Sequence, residues 1–182
     1  MIYYELPSCT VQPLTGSTTE IEAWSRFVNL QLTTEHLHTG SQPMRTIDVE
    51  KKWADERAEG DILFAVYCGE RFIGTCGLHN FRWIYHSAEH RYLIFDPEFV
   101  GKGIGTQICK TLLWHGFKRL NLHKQWLGVS AKNERAIACY KKCGFVEEAR
   151  LRDELYVMGE YVDALRMSVL RPNWCNDDPR KA

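Results

Sequence analysis

Hydrophobic positions change their spacing about a third of the way along the chain. Before residue 60 they recur at helical intervals: Ile21, Trp24, Phe27 and Val28 form one apolar stripe. Ahead of them Ser17-Thr-Thr-Glu20 has the form of a capping box, in which serine and glutamate side chains satisfy orphan amides at a helix start. Cys9 to Leu14 is an expected first strand. Residues 30–45, with Gly40 and Pro43, read as a long loop, and a second helix is expected over 47–59, carrying Val49 and Trp53 and ending at Gly60. From there strand periods take over. Ile62 to Cys68 is apolar on both faces, as in a strand covered on both sides, and Gly69-Glu70 is a hairpin signal before Arg71 to Leu78. A strand over about 88–95 stops at Asp96-Pro97, where proline lacks the N–H a ladder needs. A glycine-rich turn then opens a helix over 104–119, with Ile104, Ile108 and Leu112 on one face. Gln125 to Ser130 reads as a strand, Glu134 to Lys142 as a short helix, and Phe145 to Tyr156 pairs with Tyr161 to Leu170 across Gly159. The order predicts a mixed α/β domain: a meander of strands, then a strand, helix, strand crossover whose two strands lie parallel.

Length and composition narrow this further. A chain of 182 residues with 45% hydrophobic content and no Pro/Gly/Ser linker is one domain over 1–182, with 171–182 as a tail. The 23 basic and 23 acidic residues balance, which excludes disorder and a globally basic nucleic-acid binder. The longest apolar run, Ile62 to Cys68, is far short of the roughly 20 residues of a membrane-spanning helix. Met1 to Cys9 shows no leader pattern, so the expected location is cytoplasmic and no membrane partner is expected. Seven cysteines, an odd number on irregular spacings, argue for reduced thiols that pack as small hydrophobes. Cys139 and Cys143 share a helix face, but no C-x-x-C or H-E-x-x-H accompanies them, and no metal is expected. His36 and His38 read as solvated loop residues.

Chemistry concentrates at Val100-Gly101-Lys102-Gly103-Ile104-Gly105-Thr106, between a strand end and a helix start. Three glycines in five residues remove the Cβ atoms that would hold a ligand off the backbone, and the first helical amides point outward. Amides plus the positive helix end make an anion site. Neither a Walker loop nor the dinucleotide fingerprint fits the spacing. Residues 101–145 hold nine basic side chains (Lys102, Lys110, Lys118, Arg119, Lys124, Lys132, Arg135, Lys141, Lys142) against Glu134, a surplus of eight in a neutral chain, as a multiply charged phosphate ligand requires. Aromatics are not interleaved with these lysines, so nucleic acid is not the expected partner.

At these residues the chain resembles the GNAT superfamily of acetyl-coenzyme A-dependent N-acetyltransferases, over about 60–170. The family's Gln/Arg-x-x-Gly-x-Gly/Ala turn falls on Val100 to Gly105, with Val100 where Gln or Arg is usual. Its Asn-x-x-Ala-x-x-x-Tyr-x-x-x-Gly-Phe falls on Asn133, Ala136, Tyr140, Gly144 and Phe145. The resemblance implies a mixed, mostly antiparallel sheet with one parallel crossover and helices on both faces. It implies a strand that parts from its parallel neighbour to take the pantetheine arm near Ile94 and Phe95. Acetyl-coenzyme A is the implied cosubstrate, held by Gly101, Lys102, Gly103, Ile104, Gly105, Thr106, Asn133 and Tyr140. Tyr140 is the implied acid that protonates the leaving thiolate. Glu89, on a strand face with Arg91, Leu93 and Phe95, is the implied base, with His90 pointing the other way and His79 or His86 serving through water. A base matters because an amine of pKa ~10 is only ~0.1% neutral at pH 7.

The implied acceptor is a small-molecule amine, with a nucleotide-linked amino sugar favoured and a polyamine or a protein N-terminus as alternatives. Trp53, Trp83 and Tyr85 are candidate walls for its pocket. A polyamine would need acids, for which Asp153, Glu154, Glu160 and Asp163 are candidates. The rival readings are a non-catalytic acetyl-coenzyme A-binding regulator and a nucleic-acid binder, and the expected assembly is a monomer or homodimer.

Overall fold

The computed structural model describes residues 4–28, 60–94, 96–176 and 178, and their side chains except at 27, 28 and 92–94. The loop expected over 30–45, the helix expected over 47–59, and Trp53, Phe95, His36 and His38 lie outside the described residues. Eight strands are described: β1 (Tyr4–Glu5), β2 (Thr10–Pro13), β3 (Ile62–Cys68), β4 (Arg71–Arg82), β5 (Ser87–Ile94), β6 (Lys124–Ser130), β7 (Val146–Val157) and β8 (Glu160–Leu170). They form one sheet in the order β1-β2-β3-β4-β5-β6-β8-β7. Every neighbouring pair is antiparallel except β5 and β6, which are parallel as the crossover predicts. Among the described residues three α-helices accompany the sheet: α1 (Thr18–Val28), α2 (Ile104–Trp114) and α3 (Glu134–Lys142).

Alternation along β3 puts helices on both faces. Phe64 and Val66, with Ile73 of β4, pack against Ile104, Ile108 and Leu112 of α2. Ala65, pointing the other way, joins Phe72 in a cluster with Ala23 and Trp24 of α1. The largest core unites Leu127, Leu165 and Met167 of the sheet with Cys109 and Leu113 of α2 and Ala136 and Tyr140 of α3. Each large side chain so buried contributes about 1.5–3 kcal/mol. The capping box forms reciprocally: the Glu20 amide donates to Ser17 Oγ at 3.3 Å and the Ser17 amide to Glu20 Oε2 at 3.3 Å. Glu20 is nearly buried and also accepts from the Tyr67 hydroxyl at 2.8 Å, which ties α1 to β3.

Two elements depart from expectation. β1 was not expected; two residues are too few for a periodic signal, and Tyr4 is fixed there by a 2.7 Å hydrogen bond to His115 Nδ1. The helix expected to run through 119 is α-helical only to Trp114 and continues as a π-helical segment over His115–Arg119, with the Leu120 amide donating to the His115 carbonyl at 3.2 Å. Gln125 explains the change. Its amide reaches the Leu113 carbonyl at 3.0 Å, and a Cβ at Gly116 would lie 2.4 Å from Gln125 Nε2. An inserted side chain of this kind is a recognised cause of a local break in helical bonding. At the other end of the sheet β7 is exposed along most of its length, its pairing with β8 slips between Glu147 and Ala149 and again between Leu151 and Leu155, and Asp153 has φ 49°. Among the described residues no helix is long and apolar enough to cross a membrane.

Candidate active site

The parallel pair is short. β5 and β6 align at Ser87 with Lys124, Ala88 with Gln125 and Glu89 with Trp126. Past that point β5 continues to Ile94 paired only with β4, and β6 continues to Ser130 paired only with β8. The two strands therefore part, and their facing edges carry backbone N–H and C=O groups that the ladder does not use. Ile94 lies at the far end of the parted edge of β5.

The glycine-rich turn follows β5. Gly101 and Gly103 have φ of 83° and 80°, conformations that suit glycine, and a Cβ at either would meet nothing within 4 Å. Side chains there would project into open space, and glycine leaves that space clear. Ile104 is buried and anchors the turn. The amides of Thr106 and Gln107 both donate to the Gly103 carbonyl, at 3.1 and 3.3 Å. The outward amides at the start of α2 are thus those of Ile104 and Gly105, while that of Thr106 is already engaged. Lys102 lies over the Phe99 ring, 5.0 Å from its centroid. Asn133 caps α3, its Oδ1 accepting from the Ala136 amide at 3.1 Å, so its side chain positions the helix that carries Tyr140.

On the helix side of the parted strands the site is neutral. Tyr140 is buried, its ring 5.7 Å from that of Phe145, and His90 meets Phe145 edge-on at 5.4 Å. His90 is the first β5 residue beyond the parallel pairs. Burial pushes its pKa down to about 4, against the pull of Gln125, whose Oε1 lies 3.4 Å from His90 Nδ1. The imidazole is therefore uncharged at neutral pH.

The opposite face is ionic. Glu89 pairs with Arg91 at 2.9 Å, as their shared face predicts, and its second oxygen accepts from the Asn80 amide group. His79 stands directly across from Glu89 on β4, is 4% exposed, and holds Asp61 through Nδ1 at 2.6 Å. Its ring lies over Gly77, where a Cβ would come within 3.2 Å of His79 Nε2 and 2.2 Å of the Ile62 carbonyl oxygen. Asp61, Asn80 and Gln125 were not singled out from sequence; the signals for Asn80 and Gln125 are a left-handed φ of 47° and complete burial.

Other candidates are placed elsewhere. Trp83 stacks on Phe81 at 4.6 Å and is 58% exposed, as is Tyr85 at 71%, on the turn between β4 and β5. Asp163 binds Arg150 and the Asp153 amide, and Glu160 binds Lys132, so these two of the four hairpin acids are engaged on the hairpin's own surface. At least five of the nine basic side chains are likewise occupied: Lys102, Lys118 and Arg119 over aromatic rings, Lys124 and Lys132 on Glu148 and Glu160.

Comparison with known proteins identifies the family and the fold. The family described as the acetyltransferase (GNAT) domain matches residues 15–146, and the chain belongs to it. A spermidine N(1)-acetyltransferase of Vibrio cholerae serotype O1 is 37% identical over 107 residues, 59% of this chain and 61% of that protein. That of Escherichia coli strain K12 is 36% identical over 108 residues, 59% of this chain and 58% of that protein. The chain thus matches about three fifths of the length of these relatives. The crystal structure of spermidine N-acetyltransferase from Vibrio cholerae, in complex with CoA and spermine, superposes with a TM-score of 0.82 at 27% identity, covering 91% of this chain and 97% of that one.

Proposed function

We propose that the protein transfers an acetyl group from acetyl-coenzyme A to a primary amine of a polyamine, directly and in a ternary complex. One observation carries the reading: β5 and β6 part beyond Glu89, with an open glycine turn in the chain after β5 and the buried Tyr140 on the helix after β6. The diphosphate of the donor would rest on the amides of Ile104 and Gly105, and its pantetheine arm would complete the unused edge of β5 near Ile94. The open space at Gly101 and Gly103 is what such a linker needs.

In this arrangement Glu89 draws the acceptor ammonium to the ionic face and takes its proton, directly or through water. The neutral amine then attacks the thioester carbonyl, whose oxygen is stabilised by backbone N–H groups at the parting of the strands. Tyr140, on the neutral side, gives its proton to the departing sulfur. The polyamine assignment rests on the likeness to spermidine acetyltransferases, which sets it above the amino sugar expected from sequence. Its charge partners on the described face are Glu89 and Asp61 and not the hairpin acids.

The test is thiol release from acetyl-coenzyme A with spermidine, a nucleotide-linked amino sugar and an N-terminal peptide offered separately, with products weighed by mass spectrometry. Turnover with spermidine far above the other two is expected. Binding of acetyl-coenzyme A without turnover on any amine overturns the reading in favour of a regulator.

A further inference from the structure

Three of the seven cysteines converge beneath the coenzyme turn. Cys109 on α2 and Cys143 at the end of α3 are buried, and Cys139 on α3 is partly exposed. Cys139 Sγ lies 3.3 Å from Thr106 Oγ1, and Cys143 Sγ lies 3.8 Å from the Thr106 carbonyl oxygen, so both hold the first turn of α2. Cys143 is also within hydrogen-bonding reach of the thiols of Cys109 and Cys139. Among the described residues no group of His, Cys, Asp or Glu is arranged to hold a metal ion, so thiol chemistry is the use this cluster offers.

We propose that Cys139 and Cys143 form an oxidation site for small disulfides, and that closing it weakens coenzyme binding at the adjacent turn. The second half of this statement rests on the reading of Gly101 to Thr106 as the donor site; the first half does not. Cys139, as thiolate, attacks one sulfur of a small disulfide, whose S–S bond breaks to release one thiol and leave a mixed disulfide. Cys143 then gives up its proton and attacks the Cys139 sulfur, expelling the second thiol. Two protein thiols are oxidised and the small disulfide is reduced to two thiols.

Geometry sets the order and the consequence. The hydrogen bond to Cys109, and after it burial, raise the pKa of Cys143 against the opposing pull of Cys139 and Lys110, so the partly exposed Cys139 reacts first. Residues four apart on a helix have Cα atoms ~6 Å apart, inside the disulfide range of roughly 4.4–6.8 Å. Their Cβ atoms are ~5–6 Å apart, against ~3.5–4.5 Å in a disulfide. The last turn of α3 must therefore tighten. Cys143 can move because it is the C-cap, with φ −90° and ψ 2°, and Gly144 follows at φ 93°. Both sulfur contacts to Thr106 are lost in the process, and Tyr140 sits between the two reacting residues.

The experiment treats the whole protein with oxidised glutathione, digests it with trypsin without reduction, and weighs the fragments. A linked pair of residues 136–141 and 143–150 is expected, and coenzyme A affinity by calorimetry should fall about fivefold or more, recovering with dithiothreitol. Cys139→Ser and Cys143→Ser should each give no linked pair, and the coenzyme A affinity of each should be the same with and without glutathione. The proposal is overturned if no linked pair forms, if the link joins other cysteines, or if the linked protein binds coenzyme A unchanged. Should the reduced protein bind no coenzyme A, the donor-site reading fails, and the peptide map alone decides the disulfide.

Discussion

The two faces of β5 differ in kind. One carries the Glu89 and Arg91 ion pair beside His79, which is hydrogen-bonded to Asp61. The other carries Ala88 and His90 against Phe145 and Tyr140, where the titratable groups are buried and uncharged. A two-residue period along a single strand thus sorts two halves of a reaction. In the proposed reaction, attraction and deprotonation of the cation fall to the ionic side and delivery of a proton to sulfur to the apolar side. β5 parts from β6 just beyond Glu89.

This contrast can be broken at several places. The largest effect expected is on stability in acid. His90 and His115 both have pKa values pushed down to about 4, His90 chiefly by burial and His115 by burial and then Arg119. The unfolded chain takes up these protons near pH 6.5, so the stability they contribute is complete above that pH and is lost as pH falls toward 4, on the order of 2–3 kcal/mol per ring. Denaturant titrations of His90→Phe and the parent at neutral pH and near pH 4.5 should show a flatter acid slope in the variant. An equal slope would mean that His90 is charged in the folded protein. Next, Tyr140→Phe should cut kcat about 100-fold or more while leaving coenzyme A affinity within about twofold, measured by thiol release and calorimetry. Equal kcat in the two proteins removes Tyr140 from the acid role.

Glu89→Gln should lower kcat/KM for spermidine roughly tenfold or more, and the split of that loss sharpens the comparison. A fall in kcat assigns proton removal to Glu89, whereas a rise in KM alone assigns it attraction of the ammonium and leaves the proton to the His79 and Asp61 pair. The smallest effect is expected at the hairpin: Glu160→Gln, which releases Lys132, should leave KM for spermidine within twofold. A large rise there would move the acceptor site to the β7 and β8 tip.

Most of the fold could be read from the chain because its signals are local. The limits of β3 and α3 follow from an apolar run and from a cap at Asn133 ending in Gly144. The glycine turn and Tyr140 could be read for the same reason, as spaced motifs on predictable elements. What could not be read depends on distant partners. Gln125 converts the end of a helix to π-helical bonding by reaching Leu113, 12 residues upstream, and neither residue signals this alone. That Glu160 and Asp163 are held in ion pairs is not legible in the sequence, which does not show Arg150 and Lys132 reaching across the strands. Asp61 was overlooked because its partner lies 18 residues away, across β3.

The outermost strand has a consequence for solubility. β7 ends the sheet with twelve residues, enough to template another chain, yet its slips at Glu147 and Leu151 and the left-handed Asp153 keep its outer carbonyls and amides from forming one straight row. Irregularities of this kind prevent edge-to-edge growth. Removing two residues from the Arg152 to Glu154 stretch, where three residues of β7 face Asp163 alone, should therefore straighten that part of the strand and yield a protein that still carries its turn and tyrosine but self-associates through the rim of the sheet.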